Sequence, residues 1–203
     1  MAMYNGDSSD LLDQIIKRYP AIFAVTDEAV RLGWQLANKF LASSATMPGP
    51  FRIRERRPIQ NAYAVGYCRQ LLQPFEDEGV VKWIEEAETS TFRLEPDLAF
   101  RIKKTDHEGR PSNITTGRNN RILSRNQWSL FGSQQEILRD LPTEDRWFTI
   151  GFVPDEFDIG LDVCGLTMSN GPILPFEQID DESLASLAPA AWPSIVEARR
   201  LLA

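Results

Sequence analysis

Histidine and cysteine are nearly missing from this chain. His107 is the single histidine, and Cys68 and Cys164 are the two cysteines. Together they fall short of the customary four ligands of a structural zinc site. A carboxylate-bound metal stays open, and the expectation is no bound metal and no cofactor. No stretch comes near the roughly 18 consecutive apolar residues that a membrane span needs. The opening residues, MAMYNGDSSD, carry neither a basic start nor an apolar run. The expected setting is the cytoplasm, with both thiols reduced and no membrane partner. A disulfide stays open, because sequence does not fix the separation of the two cysteines. Also absent are a phosphate-cradling Walker loop, a dinucleotide-binding G-x-G-x-x-G and a G-x-S-x-G nucleophile elbow.

Apolar and aromatic material is plentiful. Hydrophobic residues make up 42% of the 203 positions, with five Trp and eleven Phe, which is ample for a core and excludes global disorder. The net charge of −7 argues against a protein that coats nucleic acid over its whole surface.

The first third reads as helical. Ser8 or Ser9 caps a helix whose apolar face is Leu11, Leu12, Ile15, Ile16 and Tyr19, and Pro20 ends or kinks it. Thr26 offers a second cap ahead of Val30, Trp34, Ala37 and Leu41. The segment Phe51–Arg57 alternates apolar and basic residues and is expected to be a half-buried strand. From Ile59 to Phe75 the period is helical again, with Tyr63, Tyr67, Leu71 and Phe75 as its stripe.

Strands follow. Phe92 and Leu94, then Leu98, Phe100 and Ile102, alternate with polar neighbours, so each strand is expected to have one wet face, with a turn at Glu95-Pro96-Asp97. Ser133 and Glu136 have capping-box spacing for a further helix. Arg146–Val153 is apolar on both sides and suits an interior strand. Ile159, Leu161 and Val163 form a strand face, with Cys164 and Leu166 out of step, as at a bulge. Asn170-Gly171 is the strongest hairpin signal, and Pro172 and Pro175 place the returning strand at an edge. Asp180–Leu187 and the residues after Pro193 read as short helices. The expectation is one α+β domain over residues 1–203: N-terminal helices (8–42) packed with a mainly antiparallel C-terminal sheet (91–176).

Charge singles out one segment. Residues 101–125 carry seven basic and two acidic side chains, a local +5 in a chain whose remainder is −12. Arg110, Arg118, Arg121 and Arg125 suit phosphate or carboxylate groups, and Asn119 and Asn120 suit phosphates or base edges. His107 reads as a solvated loop residue and Cys68 as a core residue. The run PDLAFRIKK resembles the Pro-Asp and lysine portions of restriction-endonuclease-like sites, with Glu86 or Glu88, Asp97 and Lys103 or Lys104 as its parts. It departs from that pattern at Arg101, where an acid would stand before Ile102-Lys103.

These features imply a non-enzymatic macromolecular interaction protein, regulatory in kind, using the basic loop 101–125. A protein partner is favoured over nucleic acid because the chain as a whole is acidic. A nucleic-acid-binding protein and a divergent magnesium-dependent nuclease are the alternatives.

Overall fold

The computed structural model describes residues 8–43, 53–84, 91–94, 98–110, 146–157, 159–168 and 172–202. Within them the chain is an α+β fold, with an N-terminal helical bundle packed on a mostly antiparallel sheet. Helix α1 (Ser8–Arg18) leads into the long α2 (Pro20–Ser43), followed by α3 (Ile53–Leu71) and the short α4 (Gln73–Asp77). Strands β1 (Val81–Trp83), β2 (Thr91–Leu94), β3 (Leu98–Lys104), β4 (Arg146–Pro154), β5 (Leu161–Thr167) and β6 (Leu174–Pro175) form one sheet in sequential order. Helices α5 (Asp181–Leu187) and α6 (Trp192–Arg200) close the chain.

Every neighbouring pair of strands is antiparallel except β3 and β4, which run parallel in the middle of the sheet. The expected hairpin is present, with Leu94 opposite Leu98. The segment Arg146–Val153 is interior as expected, between β3 and β5. The β4–β5 register slips between Val153 and Pro154, so Leu161, Cys164 and Leu166 all pack towards the core. The two-residue β6, with Pro175, is an edge strand.

One face of the sheet meets the helices. Directly opposed residues there are Trp83 and Phe92, Phe92 and Phe100, and Phe100 and Phe148. Their ring centroids lie 5.3, 5.4 and 5.5 Å apart. Phe23 of α2 meets both Phe100 and Phe176, and Trp34 of α2 meets Phe152. Burying each such ring contributes about 1.5–3 kcal/mol relative to leaving it exposed. Helix α2 is the hub, packing on α1, α3, α5, α6 and β5. Arg199 ties the C-terminal helices to it: Nε donates to Glu28 Oε1 at 2.7 Å, and Nη1 donates to Asp181 Oδ1 at 2.7 Å.

Two local expectations are corrected. Thr26 is not a cap. It lies inside α2, buried, with Oγ1 donating to the Ile22 carbonyl at 2.7 Å. The helix starts at Pro20, whose fixed φ and missing N–H suit a first turn. The residues after Arg52 are not a strand either: Ile53–Arg57 open α3, with Pro58 inside it. Arg and Glu are good helix formers, and helical spacing buries Gln60, Ala64, Cys68 and Leu71. That face outweighs the bond that Pro58 cannot donate. Tyr63 and Tyr67 sit one position off it and are half-buried, with Tyr63 stacked on Phe40. The Ser133–Glu136 capping box and the Asn170-Gly171 turn lie outside the described residues.

Helices α2 and α3 approach closely at Gly33. A Cβ there would stand 2.6 Å from Ala64 Cα and 2.7 Å from the Tyr63 carbonyl oxygen, both backbone atoms that cannot swing aside. Gly33→Ala is expected to destabilise the protein by roughly 1–3 kcal/mol, the range for overpacking. A urea midpoint unchanged from that of the wild type would rule out the close contact.

Candidate functional site

The basic segment starts on β3 and turns at Asp106. The Asp106 Oδ1 accepts from the backbone N–H groups of Glu108 and Arg110 at 3.0 and 2.9 Å. Gly109 supplies the positive φ of 75° that closes the turn. The N–H of Arg110 and then its guanidinium hold the Asp106 carboxyl below its ordinary range. Arg110 Nε donates to Asp106 Oδ2 at 2.9 Å, and Nη2 lies 2.6 Å from Glu108 Oε2. The guanidinium of Arg110 is therefore engaged with its own turn. His107 is exposed, 3.9 Å from Asp162. Arg118, Asn119, Asn120, Arg121 and Arg125 lie outside the described residues, as do Glu86, Glu88 and Asp97. Among the described residues, no cluster of three histidine, cysteine or acidic side chains is placed to hold a metal ion.

The outer face of the sheet, turned away from the helices, differs most from expectation. Period two puts Thr91, Arg93, Ala99, Arg101, Lys103, Thr105, Thr149 and Thr167 on it. A wet face is expected there, yet Arg101 is only 4% exposed, and Thr91, Ala99, Thr105, Thr149 and Thr167 are also buried. Arg101 Nε donates to Thr149 Oγ1 at 2.8 Å, directly across the β3–β4 pair. Among the described residues, its Nη1 has no hydrogen-bond partner, and neither has Thr105 Oγ1. Burial pulls the Arg101 pKa down. Lys103, half-buried beside it, is lowered to about 8, first by burial and then by the charge of Arg101. Lys104 points to the other face, with Nζ 5.3 Å from the Trp34 ring centroid. Alternation alone does not separate an enclosed polar row from a solvated one, so no local pattern signals this burial.

On the helix side, Asp27 is buried beside Arg31, whose Nε lies 3.0 Å from both carboxylate oxygens. Arg31 Nη1 donates to the Leu161 carbonyl at 3.1 Å, fixing α2 to β5. Burial raises the Asp27 carboxyl, while Arg31 and a hydrogen bond with the Cys164 thiol oppose the rise. Burial also raises the Cys68 and Cys164 thiols, and both are free. They are core groups without the thiolate character that nucleophiles need. A shallow cleft of about 130 Å³ lies alongside, lined by Ala24, Asp27, Glu28, Arg31, Glu177 and Leu184.

The β4–β5 connection presents two apolar side chains. Asp155 Oδ1 accepts from the N–H groups of Phe157 and Ile159 at 3.1 and 2.8 Å, and Oδ2 accepts from Gly160 at 2.6 Å. Asn38 of α2 donates to the Ile159 carbonyl at 3.1 Å. The backbone is thus tied down while Phe157 is 72% and Ile159 67% exposed. Ile159, expected on a strand face, lies in the connection instead, because β5 begins at Leu161.

Lys103 makes a testable contribution to pH dependence. Between its folded value of about 8 and its ordinary 10.5, the unfolded chain holds a proton that the native chain lacks. Native stability should rise with pH across that window. Urea unfolding at intervals from pH 8 to 10.5 is expected to show the rise in the wild type and a smaller one in Lys103→Met; identical slopes would refute the assignment. Comparison with known proteins finds no matching family model, no matching curated protein and no matching solved structure.

Proposed function

We propose that the chain is a non-enzymatic macromolecular interaction protein whose partner is another protein. The observation that carries this reading is the Asp155 turn, which holds its backbone by three hydrogen bonds and leaves Phe157 and Ile159 in solvent. Two large apolar side chains on a tethered backbone suit a partner's apolar pocket, because little backbone freedom is lost on docking. Aromatic anchors of this kind dominate interface energetics.

The basic loop 101–125 supplies the second contact in this reading. Arg118, Asn119, Asn120, Arg121 and Arg125 meet acidic groups of the partner, and Arg110, paired within its own turn, contributes least. Rim charges of this sort act mainly on association rate and salt dependence, whereas buried apolar anchors act on dissociation.

The two contacts predict different signatures. The full chain would be immobilised and its partner captured from nuclease-treated extract, identified, and then measured as a purified protein. Phe157→Ser with Ile159→Ser is expected to weaken that binding by at least tenfold, chiefly through faster dissociation. Neutralising Arg118, Arg121 and Arg125 together is expected to slow association and flatten its salt dependence. Binding unaffected by either set would overturn the reading, and capture abolished by the nuclease would favour nucleic acid.

A further inference from the structure

On the outer face of the sheet, Arg101 is buried with one of its guanidinium nitrogens unpartnered among the described residues. Arg101 has five guanidinium N–H donors. Its Nε is used by Thr149, while the enclosed Nη1 meets no acceptor among the described residues. Arg199 shows the contrast: two carboxylates take its Nε and Nη1, and hydrogen bonding to Glu28 leads the causes that raise its pKa. For Arg101, burial alone acts, and acts downwards. Lys103 stands two residues along the same strand and the same face, so a second positive charge lies about 7 Å away along the backbone. The charge of Arg101 bears on it. Two residues further, Thr105 Oγ1 is a second enclosed atom on this face with no partner among the described residues.

An enclosed guanidinium with an open donor is a costly arrangement unless an anion completes it. Phosphate and carboxylate share the needed chemistry. Each offers paired oxygens that match the planar spacing of guanidinium N–H groups. An anion beside Arg101 would also lessen the repulsion between Arg101 and Lys103, and Thr105 can donate to a polar atom of the same ligand. We propose that the outer face of the sheet is a binding site for a small molecule bearing an oxyanion, phosphate or carboxylate, held by Arg101 through Nη1 beside Lys103. This site lies on β3 and β4, and the proposal does not depend on the Phe157 turn or on the identity of any protein partner.

The experiment is calorimetric titration of the full chain, in a chloride buffer free of other oxyanions, with inorganic phosphate in one arm and acetate in the other. Thermal unfolding is followed over the same concentrations after long equilibration, because an enclosed ligand exchanges slowly. Saturable binding of one anion per chain, with a matching rise in Tm, is the expected result. The arm that binds more tightly identifies the group. Arg101→Met keeps the length of the side chain and should weaken binding at least tenfold. Lys103→Gln, at a half-buried position, should weaken it several-fold and serves if Arg101→Met fails to fold. Arg200→Gln, at an exposed position outside this face, should bind like the wild type. No saturable response to either anion would mean that the charge of Arg101 is matched otherwise and would overturn the proposal. A response unchanged in both Arg101→Met and Lys103→Gln would do the same.

Discussion

The rings of Trp83, Phe92, Phe100 and Phe148 stand directly opposite one another on four consecutive strands. Everything else in the fold leans on that row. Aromatic pairs of this kind add about 0.5–1.5 kcal/mol each beyond the area that they bury. They also fix register, since a one-residue slip would carry every ring to the opposite face. Phe23 docks on the row from above, and through it the hub helix α2 takes its position. Asp27 and Arg31, one and two turns further on, then fasten that helix to the Leu161 carbonyl. Packing sets the distance between the layers, and the polar clasp sets the angle.

The two faces of the sheet therefore do different work. The helix side is apolar and ring-filled, with Asp27 and Arg31 paired within it and Lys104 set over the Trp34 ring. The outer side is built from threonines, glycines and cations, among which Arg101 lacks a full complement of acceptors. Thr149, opposite Arg101, accepts one of its hydrogen bonds but brings no negative charge to it. Small residues let other atoms approach closely here: Thr105 and Ile173 crowd the position that a Cβ on Gly151 would take. The chemistry-bearing residues are thus held by the two central strands, β3 and β4, each paired on both sides.

Much of this architecture was legible in the sequence, and where it was not, the cause is specific. Alternation revealed β2 and β3, and apolar residues on both sides revealed β4, because period two is a direct image of the pleat. Asp180 marked α5 through its own chemistry, accepting from the Ser183 N–H at 2.8 Å. Ile53–Arg57 misled because five residues of alternating long side chains satisfy a strand pattern, while the deciding burial lies further on, at Gln60, Ala64 and Cys68. Thr26 misled because a buried threonine can bond back to the carbonyl four residues earlier as readily as it can cap. The candidate site was legible only as charge. That Arg101 is enclosed depends on tertiary packing around an interior strand, and no local pattern encodes it. Phe157 and Ile159 were visible as residues, but their exposure rests on the three hydrogen bonds of Asp155.

The parallel pairing at the centre of the sheet has a consequence for how the chain reaches this structure. Leu94 and Leu98 come together across a hairpin, whereas Leu98 and Arg146 meet across 48 residues. By the logarithmic dependence of loop closure, that central seam costs roughly 2 kcal/mol more chain entropy than the β2–β3 hairpin. The sheet is thus two locally formed halves, β1 to β3 and β4 to β6, joined by one expensive zipper. Phe100 with Phe148 and Arg101 with Thr149 are contacts that exist only after the halves have met. The anchoring of Arg101 by Thr149 therefore depends on the costlier of these two closures.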